Sequence, residues 1–133
     1  MDGSYIELPG CEIAGIEQSG ETLTLRFARA YLIQTQSGAK QQSRWHQSGS
    51  LIFSDPEVEE LPPPGPLVCS GGDVGENIYT YRDMIPIPLE SRGRAHCNLR
   101  FEGSEQRLRL QASGVTLVME DRPYYIEHID KGN

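Results

Sequence analysis

The chain has 133 residues, 37% hydrophobic and 23% charged, and 12 basic against 19 acidic side chains give a formal charge of −7. That length suits one domain, since domains usually run about 100–150 residues, and no apolar run approaches the ~18–20 residues a membrane helix needs. The acidic balance works against binding nucleic acid, which draws its affinity from phosphates neutralised by Lys and Arg. The chain opens on Met1-Asp2-Gly3-Ser4, with no basic stretch and no apolar run behind it, so no signal peptide is expected. The three cysteines, Cys11, Cys69 and Cys97, are an odd number without C-x-x-C spacing. They read as free, buried thiols of a cytoplasmic protein rather than as a disulfide framework.

Period-two alternation dominates the chain, as a half-buried strand requires. Strands are expected over 4–8 and 11–18, then over 21–35 after a tight turn at Ser19-Gly20 that sets Ile16 opposite Leu23 and Ala14 opposite Leu25. Within 21–35, Leu23, Leu25 and Phe27 share one face and the alternation then slips. A bulge at Ala28-Arg29 keeps the segment one long strand, because Tyr31, Ile33 and Thr35 continue the β-favouring composition. A strand over 43–54 follows. The span from about 55 to 76 is expected to be an irregular Pro/Gly-rich loop. It holds D-P-E-V-E-E-L-P-P-P-G-P and then Ser70-Gly71-Gly72-Asp73-Val74-Gly75; prolines cannot donate to a ladder, and runs of them favour polyproline II.

Further strands are expected over 77–82, 94–102, 106–112, 115–120 and 124–129, with Ile85-Pro86-Ile87-Pro88 as an extended edge segment. If Ser113-Gly114 is a two-residue turn, Ala112, Leu110 and Leu108 face Val115, Leu117 and Met119 on one apolar side, and Arg107 meets Glu120 on the other. The link from Phe101 to Leu108 leaves two registers open. One sets Phe101 against Leu108 and Arg100 against Arg109; the other sets Arg100 against Gln111 and Glu102 against Arg109. Eight or nine short strands with little or no helix, in one domain over 1–133, predict an all-β fold. An antiparallel β-barrel is the expected form and a β-sandwich the alternative.

No catalytic constellation emerges. His46, His96 and His128 lack metal-ligand spacing, and His96 and Cys97, adjacent on a strand, point to opposite faces. There is no G-x-S-x-G elbow, and the loop from Gly71 to Gly75 lacks both phosphate-binding spacing and a following helix. Cys69 reads as inert, and Pro63 to Pro66 as a rigid loop. Neither a cofactor nor a metal is expected. Two features suggest an interaction surface. Arg26, Arg100, Arg107 and Arg109 lie opposite the apolar face of their strands, so neighbouring strands would make them a basic stripe. Trp45, the lone tryptophan, stands beside His46 among polar groups and suits an interface anchor or a core cap. The expected function is a soluble, non-enzymatic protein-interaction or self-associating module with a protein partner or homodimer, and no nucleic acid or membrane. The alternative is a small-molecule-binding barrel with an apolar pocket under the 55–75 loop.

Overall fold

A computed structural model describes residues 3–35 and 41–130. Eleven strands run β1 (Gly3–Ser19), β2 (Thr22–Thr35), β3 (Gln41–Ser54), β4 (Glu57–Glu60), β5 (Leu67–Glu76), β6 (Tyr79–Arg82), β7 (Met84–Ile87), β8 (Glu90–Ser91), β9 (Ala95–Phe101), β10 (Leu108–Ala112) and β11 (Gly114–Asp130). They form one antiparallel sheet in the order β4-β10-β9-β5-β1-β2-β3-β11-β8, with β6 on β5 and β7 on β1. The sheet curls into a half-barrel around one apolar core. Alternation builds that core directly: Leu23, Leu25 and Phe27 of β2, Leu51 and Phe53 of β3, Cys97, Leu99 and Phe101 of β9, and Leu108 and Leu110 of β10 are all buried. No helix among the described residues is long and apolar enough to cross a membrane.

The expected strands are longer and differently joined. The segments 4–8 and 11–18 are one strand, as are 115–120 and 124–129, because bulges interrupt the alternation without ending the ladder. The bulge in β2 falls where the sequence places it, between Phe27 and Ala30. The first turn is also present, shifted by two residues so that Ile16 faces Leu25 and Gln18 faces Leu23. Ile16 still lies with Leu23 and Leu25, but the register shift between Ile13 and Gly15 turns Ala14 outward and buries Ile13 in its stead.

Three expectations fail. The hairpin at Ser113-Gly114 does not form: β10 lies between β9 and β4, whereas β11 pairs with β3 and β8. Ser113 is instead a crossing point whose N–H and hydroxyl both donate to the Ser54 carbonyl, at 2.9 and 3.2 Å. Leu108 and Leu110 on one side, and Leu117 and Met119 on the other, still pack on the common core, because alternation fixes a face and not a partner. Neither register weighed for β9 and β10 is adopted. Leu108 faces Leu99 and Arg109 faces Asn98, which takes Arg109 off Arg100 and lets it reach Glu60 of β4 at 3.0 Å.

The span 55–76 is the third correction. Only 55–56 and 61–66 lack strand structure; β4 and β5 occupy the remainder. The glycines of β5 are required by the strand itself. Gly71 and Gly72 have φ of 132° and 136° at a register shift, a conformation L side chains avoid. A Cβ on Gly72 would run into the Asn98 carbonyl of β9, and one on Gly75 into the His96 ring. Asp83 secures this bulge: its carboxylate accepts the Gly72 N–H at 2.9 Å and its N–H donates to the Gly72 carbonyl at 2.7 Å.

Candidate interaction surface

Of the four longest strands, β1, β2, β3 and β11, three are irregular at one common level. Register shifts fall between Glu7 and Glu12 in β1, Phe27 and Ala30 in β2, and Glu120 and Tyr124 in β11. Gly10 and Asp121 take positive φ there, 93° and 61°. Bulges sharpen local twist and bend a strand; stacked side by side they bend the sheet as a unit. The carbonyls they free are satisfied from inside. The buried Gln47 amide donates to the Glu120 and Asp121 carbonyls at 3.2 and 3.1 Å, and the Cys11 thiol donates to the Glu7 carbonyl at 3.0 Å while accepting the Tyr31 N–H.

Beyond the bend, the sheet has two dissimilar faces. Outside, the register rows are Tyr5–Ile33–Arg44 and Glu7–Tyr31–His46–Tyr124. The Arg44 guanidinium lies 4.7 Å from the Tyr31 ring centroid and 3.6 and 3.8 Å from Glu7 and Glu127. His46 stacks on Tyr124 at 5.2 Å, and Arg122 covers the same tyrosine at 4.9 Å. Each cation thus sits over a ring face, where the quadrupole is negative.

On the inner face, Trp45 meets Tyr125 edge-on at 5.3 Å, and its indole N–H donates to the Ser43 hydroxyl at 2.9 Å. Trp45 packs against the core and divides two hollows of about 190 and 160 Å³. The two adjacent residues singled out in the sequence therefore belong to opposite faces.

Sequence reasoning missed the run beside them. Tyr124, Tyr125 and Ile126 are all exposed, Tyr125 to 50%. The signal was legible: three consecutive large apolar residues in a strand cannot all face one core. β11 is also an edge. β8 covers only Val115 and Thr116, the Leu117 N–H donates to Leu89, and from Val118 onward no described strand lies against the outer side.

The arginines are divided. Arg26 lies on β2, separated from β9 by β1 and β5; Arg100, Arg107 and Arg109 belong to the β9–β10 region. All four have acidic or polar partners. Arg26 is 3.5 Å from Glu17, Arg100 3.9 Å from Asp83 and Arg109 3.0 Å from Glu60, and the Arg107 guanidinium donates to Asn98 at 3.4 Å. The Arg107 N–H and the Arg109 side chain hold the Glu60 carboxyl below its usual range. Across the layer, Glu60, Arg109, Asn98, Asp73 and Arg82 form a ladder of alternating character, beside an open polar hollow of about 660 Å³ that includes His96.

His96 leans on Gly75 and contacts the Thr80 hydroxyl at 3.4 Å. Among the described residues no three His, Cys, Asp or Glu side chains are placed to hold a metal ion. All three cysteines are free and buried; desolvation pushes the thiols of Cys11 and Cys69 up to about 12 and 11, and that of Cys97 upward as well. No protein-family model matches this chain, and no curated protein or solved structure matches it either.

Proposed function

We propose that this chain is a soluble, non-enzymatic protein-interaction module of the cytoplasm, and that it binds a second protein chain through the outer part of β11. One observation carries the reading: Tyr124, Tyr125 and Ile126 are exposed on a strand whose outer edge has no described neighbour from Val118 onward. Exposed edge strands are templates for another chain, and clustered tyrosines supply rigid contact area at low entropic cost. The charged and proline residues along the same stretch, Arg122, Pro123 and Glu127, restrict which chain can add there. A nucleic-acid role is not proposed, because three of the four arginines picked out in the sequence end on carboxylates.

Self-association is the first case to test. Light scattering over a concentration series is expected to give a mass above one chain for the native protein, and a single-chain mass for Tyr125→Arg. If the native protein is monomeric, a stable complex with another protein, abolished by the same substitution, is the expected result. A monomer with no partner sensitive to Tyr125→Arg overturns the proposal.

The small-molecule alternative loses its natural place inside the half-barrel, where Phe27, Phe53, Leu25 and Leu51 fill the centre. Hollows do lie against residues 61–68, but on the outer surface.

A further inference from the structure

The pairing of β1 with β5 stops at Ile13 opposite Leu67. From Ala14 to Ser19, the side of β1 turned away from β2 carries no strand among the described residues. Residues 61–66, which contain three consecutive prolines, run beside this bare edge without joining it. A hollow of about 320 Å³ lies between the two walls, and a second of about 520 Å³ lies where the β1–β5 ladder ends, over Ile13, Ala14, Ala28 and Pro66 to Val68; both touch Leu67. Meeting at Leu67, they outline a trough that follows β1, with residues 61–68 opposite.

The chemistry of its surface is one-sided. The larger hollow is lined by Ile13, Ala14, Ala28, Pro66, Leu67 and Val68, and its only charged groups are Glu12 and Glu102. Both glutamates are exposed, and neither is held in an ion pair among the described residues. Neither hollow has a lysine or arginine in its lining. Glu12 accepts the Tyr31 hydroxyl at 3.1 Å. An apolar floor between two carboxylates that have no ion-pair partner among the described residues, beside a strand edge with no described strand on it, favours one kind of occupant. The backbone of an extended peptide continues the sheet, one of its apolar side chains enters the larger hollow, and flanking basic side chains meet the carboxylates.

We propose that the trough between β1 and residues 61–68 binds an extended, basic–apolar peptide segment of another protein by strand addition to Ala14–Ser19. This site is separate from the β11 surface, and either can fail without the other. The glycine at Gly15 suits the role, since a Cβ there would meet nothing within 4 Å and the edge is open to close approach. Rigid prolines on the opposite wall keep the trough from collapsing onto the bare edge.

The probe is a short blocked peptide alternating lysine and leucine, with a glutamate–leucine counterpart and a version methylated on alternate backbone nitrogens. Fluorescence anisotropy gives affinity, and backbone amide shifts locate the peptide. The lysine peptide is expected to bind saturably and to shift the amides of Ala14 to Ser19, Leu67 and Val68, and methylation to abolish binding. The double substitution Glu12→Lys with Glu102→Lys is expected to weaken binding about fivefold, as two exposed ion pairs imply. The same charge change at Glu59→Lys with Glu105→Lys, outside the trough, is expected to leave it unchanged. Equal binding of the glutamate peptide, shifts confined to other surfaces, or equal weakening by both double substitutions overturns the inference.

Discussion

Glycine at position 72 shows how much one absent side chain can decide. Its φ of 136° and the Asn98 carbonyl beside it leave no room for a Cβ, so Gly72→Ala strains the backbone and pushes β5 off β9 together. A loss of about 2 kcal/mol or more is expected, read as a lower urea midpoint. Gly15→Ala, with no close neighbour and no positive φ, is expected to stay within about 0.5 kcal/mol of the native protein. The buried thiols make a second residue-level prediction. Desolvation raises Cys11 from 9.0 to about 12 and Cys69 from 9.0 to about 11, so the folded state holds these protons more tightly than the unfolded chain. Their contribution is complete below pH 9 and is lost as pH rises through the folded values. Stability measured by denaturant titration is expected to fall from pH 9 upward, and thiol reagents to label the cysteines only on unfolding. Rapid labelling of the native protein at neutral pH contradicts that account.

Among the elements, β11 is the one whose two halves differ most. Its first half packs between β3 and β8 with Val115 buried; beyond Asp121 its described side chains are exposed or half-buried. The joint depends on Gln47, whose amide satisfies the two carbonyls released at the bulge. Gln47→Leu takes its amide from both, leaving the Glu120 carbonyl the Ser48 hydroxyl at 3.4 Å, and is expected to cost about 1 kcal/mol. Hydrogen exchange in that variant is expected to quicken most at 121–129, while 114–118 changes only with global stability. Uniform acceleration along β11 means that Gln47 supports the core as a whole rather than the bend. Both the bulge in β2 and the faces of its side chains were legible, because the slip after Phe27 interrupts an otherwise regular alternation. The bulges of β1 and β11 were read as breaks between strands. A bulge and a turn both interrupt alternation, and only a neighbouring strand that continues past the site tells them apart.

At the scale of the whole molecule, the sheet joins segments remote in sequence. β3 lies on β11 over most of both strands, β5 reaches β1 across the proline segment, and β4 closes against β10. Such topology must close long loops before pairing is rewarded, so refolding from urea is expected on a scale of about milliseconds to seconds. Microsecond refolding would contradict the non-local pairing. The two proposed binding surfaces stand on different parts of this sheet, an aromatic edge at β11 and an acidic trough at β1. The first exists because β8 covers only Val115 and Thr116 of β11, the second because β5 stops at Leu67 while β1 runs on to Ser19.

The sequence by itself determined the all-β class, the core faces of β2, β9 and β10, the bulge after Phe27 and the free, buried cysteines. All of these follow from period-two alternation and from local composition, which act within a few residues. Only the tertiary structure decided which strand lies beside which. It turned Leu108 and Met119 from an expected cross-strand pair into members of separate ladders, made a strand of the glycines after Ser70, and parted Trp45 from His46. The physical reason is that backbone hydrogen bonds are the same for every partner and an apolar face accepts any apolar face. Choosing among partners therefore depends on how the whole sheet bends and fills its core, which no short stretch of sequence contains.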